Sequence, residues 1–384
     1  MTPSASPNAD GARTRRTRSA LVDALVVPVL GAPMAGGPST PELAAAVTGA
    51  GGLGSLAGGY RTARQVLAQI REARLLTDGP LGLNLFMPEE VRPDPADLAR
   101  YAAALAPWAA EAGRATPVPP DIDPVQEDRE LEETLEAVLA VPGRGIDLIS
   151  TTFGPPSPER ADRIHAAGIE LGITVTTPEE VRCVLPLAPE ILVVQGPEAG
   201  GHRSTFRQDE EPSGRPLPVL LAEVLGVLSA AQGEGGERRP AVVAAGGISS
   251  REDVRALLAA GADAVQVGTL LLPAVEAGTR PVHARALGGD SPTVVTRVFT
   301  GRPARALVTR TTRELAAQQV VGYPHVHRMT APLRAAAGDD AGRLHLWAGT
   351  GHAGARPGTA AQILRALDPA ATGDPRTGPV REGS

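Results

Sequence analysis

The chain has 384 residues and a formal net charge of -6, enough length for two domains or for one large α/β barrel with an appendage. It contains no lysine, so its 37 basic residues are all arginine, which excludes Schiff-base lysine chemistry and the phosphate-binding lysine of a P-loop. An acidic balance and 2% aromatic content supply neither a basic surface for phosphates nor stacking platforms for bases, so nucleic acid is not an expected partner.

Residues 1–20, with Arg13, Arg15, Arg16 and Arg18 among Ser, Thr and Pro, read as a disordered tail of a cytoplasmic protein. No apolar run long enough for a signal h-region follows them, and a transit peptide is the rival reading. From 21 to 280, short β-rich apolar runs alternate with helical stretches. Eight strands are expected, at 26–32, 52–56, 81–86, 147–152, 171–176, 191–195, 241–245 and 264–268. Eight parallel strands close a (β/α)8 barrel. An open doubly wound sheet would place GxGxxG after its first strand, whereas GAPMAGG stands there. Helix starts agree with this register: Thr40 before Pro41 and Glu42, Thr177 before Pro178 and Glu179, and Ser250 before Glu252 and Asp253 pair a capping hydroxyl with early acids.

Two stretches depart from the alternation. Residues 87–145 are too long for a simple connection and read as a helical insert, with two helix-like stretches around RATPVPPDIDP. Residues 281–370 read as helices and irregular chain packed at the barrel mouth, and 371–384 as a frayed tail. Cys183, the single cysteine, reads as a small buried hydrophobe within PEEVRCVL. The polar run 208–216 reads as solvated.

A barrel gathers its chemistry at the C-terminal ends of its strands. Those ends carry Ala32, Pro33 and Met34, then Asn84, Gln195, the pair Gly246 and Gly247, and Gly268 with Thr269. The last two ends place glycines between a strand and a helix start, where main-chain N–H groups commonly cradle a phosphate; the plainer alternative is that they only turn the chain. The run ILVVQGPEAGGHRS sets Gln195 and His202 around a turn whose Gly200 and Gly201 let the backbone approach a flat ligand. His202 is the candidate catalytic residue, because an imidazole there serves as a base or, protonated, holds an anion. His165 reads as a surface or packing residue, and His283, His345 and His352 have no partner at metal-ligand spacing. His325 and His327 have no third ligand nearby, so no metal is expected.

The motifs GAPMAGG, GLNLF, QGPEAGGHR, AAGGI and QVGT, in that order, with FTGRPAR and LWAGTG later, resemble the nitronate monooxygenases, also called 2-nitropropane dioxygenases, over about residues 24–365. The resemblance implies an FMN-dependent barrel. It implies that the backbone at Ala32, Pro33 and Met34 lies against the flavin ring, that Asn84 and Gln195 bond its polar edge, and that Gly200 and Gly201 crowd its other side. It also implies that Gly246, Gly247, Gly268 and Thr269 hold the phosphate. Thr152, Tyr323 and His327 are substrate-pocket candidates. Relatives commonly follow the tyrosine with a second tyrosine four residues on and a lysine four further, whereas this chain has His327 and Ala331. They also often carry a histidine where Thr151 and Thr152 stand. The implied reaction is oxidation of alkyl nitronates, or of nitroalkanes, by O2 to a carbonyl compound and nitrite. Two alternatives stay open: an NAD(P)H-dependent FMN reductase acting on a quinone or an enoyl thioester, and a specialised or non-catalytic flavin-binding relative. The expected partners are a small-molecule substrate and O2, with no membrane, and a homodimer is compatible with the sequence.

Overall fold

Runs such as 191–194 and 241–245 carry only apolar side chains, all of them buried, as strands covered on both faces require. The computed structural model describes residues 17–88, 91–232 and 238–372. Its strands are β1 (Val29–Gly31), β2 (Gly54–Ala57), β3 (Leu81–Phe86), β4 (Leu148–Thr152), β5 (Glu170–Val175), β6 (Ile191–Gln195), β7 (Gly201–His202), β8 (Ala241–Ala245), β9 (Ala264–Val267), β10 (Thr293–Thr296) and β11 (Ala304–Leu307). Eight of them pair in parallel in the order β1-β9-β8-β6-β5-β4-β3-β2. The ring closes between β1 and β2: Gly31 N donates to Leu53 O at 2.9 Å and Leu53 N to Val29 O at 3.1 Å. The chain is therefore a (β/α)8 barrel, with helices between successive strands.

The helix starts form as their capping residues dictate. Thr40 Oγ1 accepts from Leu43 N at 3.0 Å and Ser250 Oγ from Asp253 N at 3.1 Å. Thr177 Oγ1 accepts from Glu180 N, and Glu180 returns a bond to Thr177 N, so two end donors are satisfied reciprocally. At the N-terminal ends of the strands, Val22 and Leu25 join Leu148, Ile191 and Ala241 in one apolar cluster. The short helix Ala20–Asp23 is anchored there by Ser19 and Leu21, both of which donate to the Glu170 carboxylate. Within the expected tail 1–20, Thr17 and Ser19 are thus buried; residues 1–16 lie outside the described residues, as do 373–384 of the second tail.

The insert forms three helices rather than two, Pro95–Ala104, Ala106–Glu111 and Pro124–Leu139. The third buries Leu131, Leu135 and Val138 in the layer between strands and outer helices, so it acts as an ordinary crossover helix. The first two do something else. Leu98, Tyr101, Leu105 and Trp108 pack with Phe299, Leu315, Val326, Met329 and Leu333 of the late chain, forming a second apolar core. Insert and C-terminal segment therefore build a cap together.

Three further expectations change. The late segment is not wholly helical and irregular: β10, β11 and β7 form a three-stranded antiparallel sheet in which Ala304 pairs with His202. Its edge strand β7 has only two residues and lies about a hundred residues from β11, so no local period announces it. Cys183 is exposed, because the helix Pro178–Val184 turns Pro178, Val181 and Val184 inward and leaves Cys183 on its outer side. In the 208–216 run the charged residues are exposed, but Gln208 is fully buried: its Nε2 donates to Val91 O at 2.7 Å and to Tyr323 O at 3.1 Å, while its Oε1 accepts from Tyr323 N at 2.8 Å.

Candidate active site

The C-terminal strand ends and the cap enclose a cavity of about 330 Å³, within the size range of small-molecule sites. Ala32, Pro33, Met34, Asn84, Thr152, Gln195, Gly200, Gly201, His202, Gly246, Gly247, Gly268, Thr269 and His327 all line it. Residues chosen from widely separated motifs are therefore brought into one wall.

One end of the cavity is main chain. Gly246 and Gly247 follow β8 with φ of +123° and +72°, a region that side chains other than glycine rarely adopt. A Cβ on Gly246 would stand 2.9 Å from Ala199 N, and one on Gly247 would stand 3.0 Å from Glu198 Cβ. A Cβ on Gly268 would meet Ala32 Cβ at 3.2 Å. Thr269 Oγ1 accepts from Gly349 N at 3.0 Å, and among the described residues no acceptor takes its proton.

The two amides face the cavity while held by protein. Asn84 Nδ2 donates to Ser150 O at 3.2 Å, Ser150 Oγ at 3.0 Å and Thr152 Oγ1 at 3.1 Å. Gln195 Nε2 donates to His202 O at 3.0 Å, and its Oε1 accepts from Ser204 N at 3.0 Å. Gln195 thereby fixes the turn that carries His202, and Arg203 reinforces it by donating to the Gly196 and Gln195 carbonyls.

His202 sits on β7, with Nε2 3.0 Å from Thr300 Oγ1 and its ring among those of Phe153 at 5.4 Å, Trp347 at 5.5 Å and Tyr323 at 6.0 Å. Burial, seconded by the nearby Arg302 guanidinium, pushes its pKa down to about 3. The ring is therefore neutral at ordinary pH, which favours the base over the imidazolium holding an anion. Arg302 itself lies over the Phe153 ring, 4.0 Å from its centroid.

The pocket candidates differ in placement. Thr152 bonds Asn84, whereas Tyr323, 8% exposed, does not line the cavity and instead stands with its ring 5.4 Å from that of Phe153. His327 stacks on Tyr60, with centroids 4.2 Å apart and planes at 3°. Burial and Arg334 push its pKa down to about 3. Ala331 lies half-buried on the same helix, His325–Ala336.

Sequence reasoning missed several walls. His283, with Nε2 3.0 Å from Trp347 O, and His345 both line the cavity, as do Tyr60, Phe86, Thr300, Arg334 and Trp347. Thr300 and Trp347 stand inside the FTGRPAR and LWAGTG motifs, so a signal existed for them. Arg334 carries none, since it comes to the cavity only through the packing of the cap. His352 bonds Ser291 O at 2.9 Å, and half-buried His165 lies beside Glu190. No group of three or more histidine, cysteine or acidic residues suited to a metal occurs among the described residues. No helix among them is long and apolar enough to cross a membrane.

Comparison with known proteins agrees with this architecture. The family model described as nitronate monooxygenase matches residues 18–369. A nitronate monooxygenase of Pseudomonas aeruginosa is 37% identical over 357 residues, covering 88% of this chain and 95% of that protein. The crystal structure of a nitroalkane oxidase from Streptomyces ansochromogenes superposes with a TM-score of 0.83 at 40% identity, covering 92% of this chain and 98% of that one. FabK from Thermotoga maritima, at 23% identity and a TM-score of 0.67, shares the fold. With a family match across most of its length and these relatives, the chain belongs to the nitronate monooxygenase family.

Proposed function

We propose that this protein binds FMN in the cavity and oxidises alkyl nitronates with O2 to a carbonyl compound and nitrite. The observation that carries the cofactor half is the glycine-lined end, where Gly246, Gly247 and Gly268 face the cavity with no side chain between main chain and ligand. Bare main chain and the free Thr269 proton suit a phosphate there. When bound, FMN supplies an electron acceptor for the substrate that O2 then reoxidises. Of the residues lining the cavity, Ala32, Pro33, Met34, Gly200 and Gly201 would border the ring, and Asn84 and Gln195 would fix the edges of its seat.

His202 has one task in this scheme, to take a proton from the carbon beside a neutral nitro group. Its low proton affinity makes it a weak base, so preformed nitronates, which need no deprotonation, are the preferred substrates. Phe86, Phe153 and Trp347 around it exclude water. A small-molecule substrate, O2 as co-substrate and a cytoplasmic location complete the proposal.

Oxygen uptake and nitrite release by the flavin-loaded protein test it, with ethyl nitronate and nitroethane compared. His202→Asn is expected to cut nitroethane turnover about 100-fold while ethyl nitronate stays within about threefold. Equal losses on both substrates would remove the base role, and no nitrite from either would end the reading.

A further inference from the structure

The oxidation scheme leaves the buried arginine of the cavity wall, Arg334, without a task. Arg334 is 7% exposed and lines the cavity. Its Nη1 lies 3.1 and 3.2 Å from the two ring nitrogens of His345. Its Nη2 lies 3.4 Å from His327 Nδ1 and 3.3 Å from His327 O, and its Nε donates to Thr330 Oγ1 at 3.3 Å. Every one of these partners is uncharged. Burial depresses the guanidinium pKa only to about 10, so it stays a cation, while burial keeps His327 and His345 neutral. Among the described residues no carboxylate pairs with Arg334. The equally buried Arg343 shows what a structural arginine in this cap looks like: it meets both Glu111 and Glu314. Buried Arg203, held by backbone carbonyls, does not line the cavity. A buried cation without a counter-charge is unfavourable, and one that opens on a cavity is relieved when an anion enters.

We propose that Arg334, braced by His327 and His345, is an oxyanion subsite that takes the acid group of the substrate and selects anionic over neutral nitro compounds. This rests on the nitronate reading for the identity of the substrate. The shared chemistry is a planar anion with two oxygens, matching the guanidinium fork. It comes either from the nitronate itself or from a carboxylate further along the substrate.

Arg334→Met and Arg334→Lys, checked for flavin content and melting temperature, separate the outcomes. Nitrate and acetate serve as unreactive probes, their dissociation constants read from perturbation of the visible flavin spectrum. Arg334→Met is expected to weaken probe binding at least about tenfold, as loss of a charge-assisted pair implies, with Arg334→Lys recovering part of it. If KM for ethyl nitronate rises in parallel while KM for nitroethane moves far less, the nitronate is the ligand. If ethyl nitronate is unaffected and acetate binding alone is lost, a substrate carboxylate is. Should Arg334→Met fail to fold, the wild-type holoenzyme decides: no spectral response to tens of millimolar nitrate or acetate overturns the subsite. Unchanged probe binding in a folded Arg334→Met overturns it as well. Loss of probe binding in a protein that forms no nitrite keeps the subsite and rejects the nitronate reading.

Discussion

At the β8 and β9 strand ends the cavity wall is main chain, whereas toward the helix His325–Ala336 it is side chain. Gly246 and Gly247 act by what they lack, and their positions follow from the barrel alone. His327, Arg334, His345 and Trp347 act by their side chains, and they converge only because the insert and the late chain share an apolar core. The contrast teaches that the end proposed for the flavin is a property of the barrel and the end proposed for the substrate a property of the cap. Changes in one end should leave the other largely intact.

The largest expected effect comes from breaking the main-chain end. Gly246→Asp places a Cβ 2.9 Å from Ala199 N, at a φ of +123°, and adds negative charge where the phosphate is expected. FMN affinity should fall at least about 100-fold. Visible flavin absorbance per purified protein measures it, and a fully yellow variant would place the phosphate elsewhere. The side-chain end is probed by Leu105→Ala, which empties a fully buried position between the insert and late-chain residues. A loss of about 3 kcal/mol of stability is expected, with altered KM but normal flavin content. Loss of flavin in step with stability would show the two ends to be one unit.

A smaller effect sharpens the comparison through pH. His202 and His327 are held near pKa 3 when folded, below the value of about 6.5 for a free imidazole, so the unfolded chain binds more protons between those limits. Stability from these rings is complete above pH 6.5 and is lost as pH falls toward 3, by at most about 1.4 kcal/mol per ring per pH unit. Melting temperature followed from pH 7 to 5 should drop, and replacing His327 by Gln should flatten the drop. A flat profile in the unmodified protein would mean that these rings are charged when folded.

How legible each end was follows from the same contrast. The strands β6 and β8 carry continuous apolar runs that stop at or just before a glycine, and their ends, like those of β3, match the sequence reading. Gln195 and Gly246 were readable because they sit at the ends of β6 and β8, and Gly268 because it follows β9. His202 was readable from its glycine turn, but its pairing with Ala304 was not, since the partner strand lies about a hundred residues away. Arg334 was invisible for a similar reason: nothing local shows that Tyr60, His327 and His345 enclose its end of the cavity. Cys183 misled because a short helix offers too few turns to fix its buried face from sequence.

The central claim is that electrons pass from a nitronate to a flavin seated on the glycine-lined end. Visible spectra of the flavin-loaded protein without oxygen, taken before and after ethyl nitronate and in parallel with NADH, test it most directly. Bleaching of the flavin by nitronate and not by NADH is the predicted result. Bleaching by NADH alone would contradict the account and make the protein a reductase, and a protein that takes up no FMN would contradict it entirely.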